Sequence, residues 1–145
     1  MQKENFSITI NAPKEKVWKV LWDDDTYRKW TGVFSEGSYA ESDWKEGSKI
    51  KFLSPKGEGM YSVINKKIGN EFMSFKHLGV VKDGIEQPLD EETKKWSGAM
   101  EEYTLREENG ITNLDVEMDI TDEYKDYFKG TWPKALQKVK ELVEE

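Results

Sequence analysis

The sequence predicts an α+β fold in which an antiparallel sheet of seven strands wraps one long C-terminal helix. Near the end of the chain Tyr124, Phe128, Trp132, Leu136 and Val139 recur at spacings of four and three. That period puts aromatic and aliphatic groups on one helical face, a stripe that needs something folded around it. Upstream, short segments alternate apolar and polar residues between turn signals, the pattern of strands with one buried face. Two short helical patterns interrupt the strands, both directly after the first one.

Phe6, Ile8 and Ile10 alternate with Ser7 and Thr9 and make strand one. Asn11-Ala12-Pro13 then offers a cap and a first-turn proline, and Val17, Trp18, Leu21 and Trp22 follow at helical spacing, so a short helix is expected from about Pro13 to Trp22. The acids Asp23, Asp24 and Asp25 precede a second short helix through Trp30, where they read as its cap and dipole partners rather than as a metal site. Between Phe34 and Ile68 the turns at Glu36-Gly37, Lys45-Glu46-Gly47 and Ser54 to Gly59 divide three strands. Gly57 and Gly59 match no phosphate-loop pattern and precede a strand, so they are hairpin glycines. Phe72 to Leu78 forms strand five, with Met73, Phe75 and His77 on one face. Gly79 to Lys95 is long and polar and is expected to be a mobile loop, with a helical turn after Pro88. Strands resume at Ala99 to Arg106 and, after Glu108-Asn109-Gly110, at Thr112 to Met118. Thr121 caps the final helix, which runs to about Val143 with a kink expected around Gly130 and Pro133.

At 145 residues the chain suits a single domain spanning 1–145. The 29 acidic and 22 basic residues give a net charge of -7 with scattered positives, which disfavours a nucleic-acid partner. No stretch is long and apolar enough for a membrane span or signal peptide, so no membrane association is expected and the cytoplasm is the expected location. The absence of cysteine removes disulfides and thiolate chemistry and agrees with a reducing compartment. Six Trp, six Tyr and six Phe concentrate the apolar content in large rings, which fill a core or line a cavity equally well.

Strand one ending in Asn11-Ala12-Pro13, the helix residues Val17-Trp18, the aromatic Trp30 and Gly130-x-Trp132-x-x-x-Leu136, taken in order, resemble the activator of heat-shock protein 90 ATPase homologue-like family of the START/SRPBCC superfamily. The resemblance implies a helix-grip fold of the Bet v 1-like or START-like kind. It also implies a cavity between sheet and helix that takes lipids, sterols, polyketides or other hydrophobic molecules, with catalysis in some branches only.

The chemistry-bearing residues are few. His77 is the single histidine, a polar anchor if it faces the cavity and a satisfied core residue otherwise. Glu101 and Glu102 are adjacent on a strand and point to opposite faces, which defeats a carboxylate dyad. No catalytic residue, metal site or cofactor is assigned. The rings expected to converge are Trp18 and Trp30 from the short helices, Phe34 and Tyr39 after them, Phe52, Phe75 and Tyr103 from the strands, and Phe128 and Trp132 from the last helix. With His77 and Leu136 they are the candidate ligand-binding set, on an apolar-pocket logic. The alternative is that these rings pack on one another and leave no void. The expected function is binding of a small hydrophobic or aromatic molecule, with Gly79 to Lys95 as a lid. Two other readings stand beside it: a protein partner engaged in the manner of a co-chaperone, and a polyketide cyclase or aromatase that uses His77, Tyr39 and Tyr103.

Overall fold

A computed structural model describes residues 1–145. It contains β1 (Gln2–Ile10), α1 (Lys14–Trp22), α2 (Asp24–Thr31), β2 (Tyr39–Glu41), β3 (Lys49–Leu53), β4 (Gly59–Ile68), β5 (Phe72–Lys82), β6 (Ile85–Glu86), α3 (Glu91–Lys94), β7 (Met100–Glu108), β8 (Ile111–Ile120) and α4 (Lys125–Glu144). The sheet is antiparallel in the order β1-β8-β7-β5-β4-β3-β2, with β6 added beside β5. This is the helix-grip arrangement, with one more strand than the alternation predicts.

The extra strand comes from the segment expected to be a loop. β5 continues through Gly79 to Lys82, turns at Asp83 and Gly84, which both have positive φ, and pairs back as β6. Two consecutive residues in that region make the tight hairpin turn that Asp-Gly favours. The expected helical turn follows Pro88 as α3, where the Asp90 carboxylate accepts a hydrogen bond from the Thr93 N–H at 2.8 Å. This segment is therefore ordered by local hydrogen bonding, and none of residues 79–95 borders the cavity described below.

Other ends differ in detail. Pro13 occupies the cap position of α1 rather than its first turn, and the Asn11 N–H donates to Glu144 at the far end of α4 (2.9 Å). Asp23 caps α2 by position only, because its carboxylate pairs with Lys19, while Asp24 and Asp25 pair with Arg28 and Lys29 one turn on. Thr121 precedes a 3-10 turn (Asp122–Tyr124), and its hydroxyl makes no capping bond.

α4 runs through Gly130 and Pro133 without interruption. A proline inside a helix costs about 3 kcal/mol. Burial of Trp132, Ala135, Leu136, Val139 and Val143 on this one helix outweighs that cost. A methyl group built on Gly130 meets no atom within 4 Å. Gly130→Ala is therefore expected to stabilise the protein by about 0.5–1 kcal/mol, read as a higher urea midpoint at unchanged slope.

The core is built unevenly along α4. Its C-terminal half packs Ala135, Leu136, Val139 and Val143 in the core with β1 and α1, where Ile10, Val17 and Leu21 are fully buried. Its N-terminal half faces the curved middle of the sheet. There β4 slips register against β5 between Tyr61 and Ser62 and between Ile64 and Lys66. Such bulges bend a strand and increase its twist. Gly79 on β5 belongs to the same curve: a Cβ there would lie 2.6 Å from the Tyr61 ring.

Candidate functional site

Between the N-terminal half of α4 and the middle of the sheet lies a cavity of about 520 Å³. Trp22 from α1 and Tyr27, Trp30 and Thr31 from α2 form one wall. Phe52, Phe75, His77, Tyr103 and Met118 rise from the sheet, and Phe128 and Trp132 descend from α4. The rim carries Tyr39, Glu58, Tyr124 and Tyr127, of which the last two are each 46% exposed.

The rings hold one another mainly by edge-to-face contacts. Phe75 meets Phe52 at 5.2 Å and Trp22 at 5.4 Å, Trp22 meets Tyr103 at 4.8 Å, and Trp132 meets Phe34 at 4.9 Å. Edge-to-face geometry aligns the positive edge of one ring with the negative face of another. Both expected outcomes of the ring composition thus occur together: the rings pack on one another and still leave a void.

Nine of the nominated residues border this void: Trp30, Phe34, Tyr39, Phe52, Phe75, His77, Tyr103, Phe128 and Trp132. Trp18 and Leu136 do not. Trp18 lies on α1 with its ring against the edge of Trp22 at 6.1 Å, and Leu136 belongs to the solid half of the α4 interface. Leu136 shares the helical stripe with Trp132, but one turn further on the sheet closes against the helix and leaves no space.

A polar chain crosses the cavity floor. Ser62 Oγ is 2.7 Å from His77 Nδ1, and His77 Nε2 is 3.1 Å from Glu101 Oε1, while the Tyr103 hydroxyl donates to Glu101 Oε2. Glu101, an acceptor from both neighbours, places a proton on His77 Nε2, and His77 Nδ1 shares its hydrogen bond with the Ser62 hydroxyl. Ser62 is fully buried and does not border the cavity, so it fixes the ring and is not a nucleophile for anything bound there. Glu102 points to the other face, where it accepts from Ser74 at 2.9 Å, as adjacent strand residues must.

Burial pushes the Tyr103 hydroxyl well above the ordinary tyrosine range, reinforced by the negative charge of Glu101. Tyr27 is raised for the same two reasons, burial first. A phenol whose folded pKa lies above its unfolded value of about 10 supports the fold fully below that pH and loses its contribution as the pH climbs further. In an alkaline titration followed by tyrosinate absorbance, Tyr27 and Tyr103 are expected to ionise only as the protein unfolds. Tyr103→Phe should remove one of these two late-titrating groups, and ordinary titration of both in the folded protein would contradict the assignment.

Two residues that border the cavity each carry a fully buried polar atom without a protein partner: Trp22 Nε1 and Thr121 Oγ1. The neighbouring indoles are satisfied, Trp30 by the Leu21 carbonyl (3.1 Å) and Trp132 by the Met118 sulfur (2.9 Å). A buried donor without an acceptor costs roughly 1–3 kcal/mol. No three His, Asp or Glu side chains gather as a metal-binding group, and no helix is long and apolar enough to cross a membrane.

Sequence reasoning missed Glu101, Trp22, Tyr27 and Trp96, which all border the cavity. Glu101 was within reach of it: Glu101 and Tyr103 share a strand face by period two, and this face lies beside His77 once β5 and β7 are paired.

Comparison with known proteins places this geometry. The model of the family described as Activator of Hsp90 ATPase homolog 1-like protein matches residues 11–144. The chain is similar to the solution structure of an Aha1 dimer from Colwellia psychrerythraea, with 23% identity, a TM-score of 0.75, and coverage of 99% of this chain and 97% of that one. It is similar to the Cytophaga hutchinsonii protein ChR145 (21% identity, TM-score 0.72, 99% and 94% covered). It is also similar to CalU16 from Micromonospora echinospora (17% identity, TM-score 0.68, 97% and 75% covered). At these identities the likeness is one of fold. No curated protein matches the sequence.

Proposed function

Because the chain belongs to the family of Activator of Hsp90 ATPase homolog 1-like proteins, we propose that it is a cytoplasmic, single-domain binding protein for a small hydrophobic or aromatic molecule. The observation that carries this reading is the aromatic-walled cavity of about 520 Å³ with the hydrogen-bonded His77, Glu101 and Tyr103 among its lining. Its volume lies within the range of small-molecule pockets, and a mostly apolar wall with a few polar groups is what such pockets need. Trp30, Phe34, Tyr39, Phe52, Phe75, Tyr103, Phe128 and Trp132 supply apolar contact in this reading, and His77 and Glu101 orient the ligand. Leu136 and Trp18 support the walls from behind.

The six indole N–H resonances test it. Four tryptophans border the cavity, Trp22, Trp30, Trp96 and Trp132, and two do not, Trp18 and Trp44. Titration with naphthalenemethanol, a neutral two-ring alcohol, should shift signals of the first group saturably and leave Trp18 in place. Uniform or absent shifts would remove the cavity as a binding site and favour a protein partner.

The hydrogen-bonded His77, Glu101 and Tyr103 favour a second reading, proton transfer on the bound molecule in the manner of a cyclase. Incubation with an aryl poly-β-ketone separates the two. A cyclase releases a product lighter by one water, and a binding protein returns the compound unchanged.

A further inference from the structure

The aromatic cavity holds one carboxylate inside it and no basic side chain of lysine or arginine. Of the side chains that border it, Glu58, Glu101 and Asp119 are carboxylates and none is a lysine or arginine. Asp119 is already paired with Lys3 at 3.1 Å and accepts from the Met100 N–H at 2.9 Å, and Glu58 lies exposed at the rim. Glu101 is the carboxylate left inside, with its side chain 14% exposed. Its two oxygens accept from His77 and Tyr103. A carboxylate offers about four acceptor positions, so two remain. Beside the rim, the Arg28 guanidinium lies 5.1 Å over the Tyr39 ring and is held by Asp24 at 3.0 Å.

We propose that the ligand of this cavity is a protonated amine carrying a compact aromatic body, with Glu101 as its counter-ion and the surrounding ring faces as its cage. The proposal rests on the cavity being a ligand site and adds the charge of the ligand. Two physical terms select the cation. An ammonium taken out of water needs a charged, hydrogen-bonded partner, and Glu101 is a buried one with free acceptor positions. The faces of Trp, Tyr and Phe attract cations, more strongly where water is excluded. The same arrangement rejects a carboxylate or phosphate head group, which would lie in low dielectric beside Glu101 with no lysine or arginine to meet it. The unpartnered N–H of Trp22 and hydroxyl of Thr121 are neutral and fully buried, and do not offset that repulsion.

A charge series on one ring system reads this directly. Naphthylmethylamine, naphthalenemethanol and naphthoic acid share a body and differ in charge, and an alkylamine is protonated at about pH 7. Affinities taken from the indole titration of the wild-type protein are expected to fall in the order amine, alcohol, acid, with about tenfold or more between amine and acid. Glu101→Gln keeps the shape of the side chain and should shrink that ratio at least about fivefold, while Glu58→Gln at the rim should leave it almost unchanged. An acid that binds as tightly as the amine in the wild-type protein overturns the proposal, as does an amine preference that survives Glu101→Gln and disappears in high salt. Failure of all three probes to bind would instead count against the cavity as a ligand site.

Discussion

Trp132→Ala is expected to remove about 3–5 kcal/mol of folding free energy, among the largest losses from any single truncation in this chain. Trp132 is 2% exposed and joins every layer of the aromatic cluster. Its ring stacks on Phe6 of β1 (5.9 Å, 20° between planes) and meets Phe34 at 4.9 Å, Tyr103 at 6.0 Å and Trp30 at 6.1 Å. Its N–H is held by the Met118 sulfur. Alanine loses these contacts together and enlarges a space that is already hollow, so the walls have nothing to collapse onto. A loss of that size is a large part of the 5–15 kcal/mol typical of a folded domain. Urea denaturation followed by circular dichroism measures it. A loss below about 1 kcal/mol would mean that the cluster repacks freely and that the cavity walls are not set by Trp132.

Filling the two halves of the α4 interface should have opposite consequences. Ala135 is fully buried in the solid half, so Ala135→Trp forces an indole where no space exists and is expected to cost more than about 3 kcal/mol, enough to impair folding. Met60 on β4 borders the cavity and is only partly buried. Met60→Trp directs its bulk into existing space, on a strand where an aromatic residue is at home. This variant should keep its stability within about 1 kcal/mol of wild type and lose at least about tenfold in affinity for naphthalenemethanol. Undiminished binding by a folded Met60→Trp protein would place the ligand elsewhere.

The contrast between these two positions marks the limit of what periodicity conveys. The stripe from Phe128 to Val143 shows which face of α4 is buried, and every residue on it reads alike, as does Tyr124, which the structure leaves 46% exposed ahead of the helix. Trp132 and Leu136 are one turn apart on that stripe, yet one borders the cavity and the other lies in packed core. The difference arises from the sheet, whose β4 bulges bend it around the far half of the helix. Glu101 shows the same limit from the polar side. Its strand neighbours make it inward-facing, but its partners His77 and Tyr103 meet it only when β5 and β7 pair. The segment from Gly79 to Lys95 erred the other way: its polarity suggested a mobile lid, and Asp83-Gly84 and the Asp90 cap order it instead.

Local chemistry by itself determined the α+β class, the order of the elements and the burial of the C-terminal stripe. Hydrophobic period, turn residues and helix starts are encoded within a few residues of where they act. Tertiary structure decided where the helix is gripped tightly and where it stands away from the sheet. It also decided which ring faces the void and which acid lies beneath it. Those depend on strand register and curvature, set by contacts between residues far apart in the chain, which no local pattern contains.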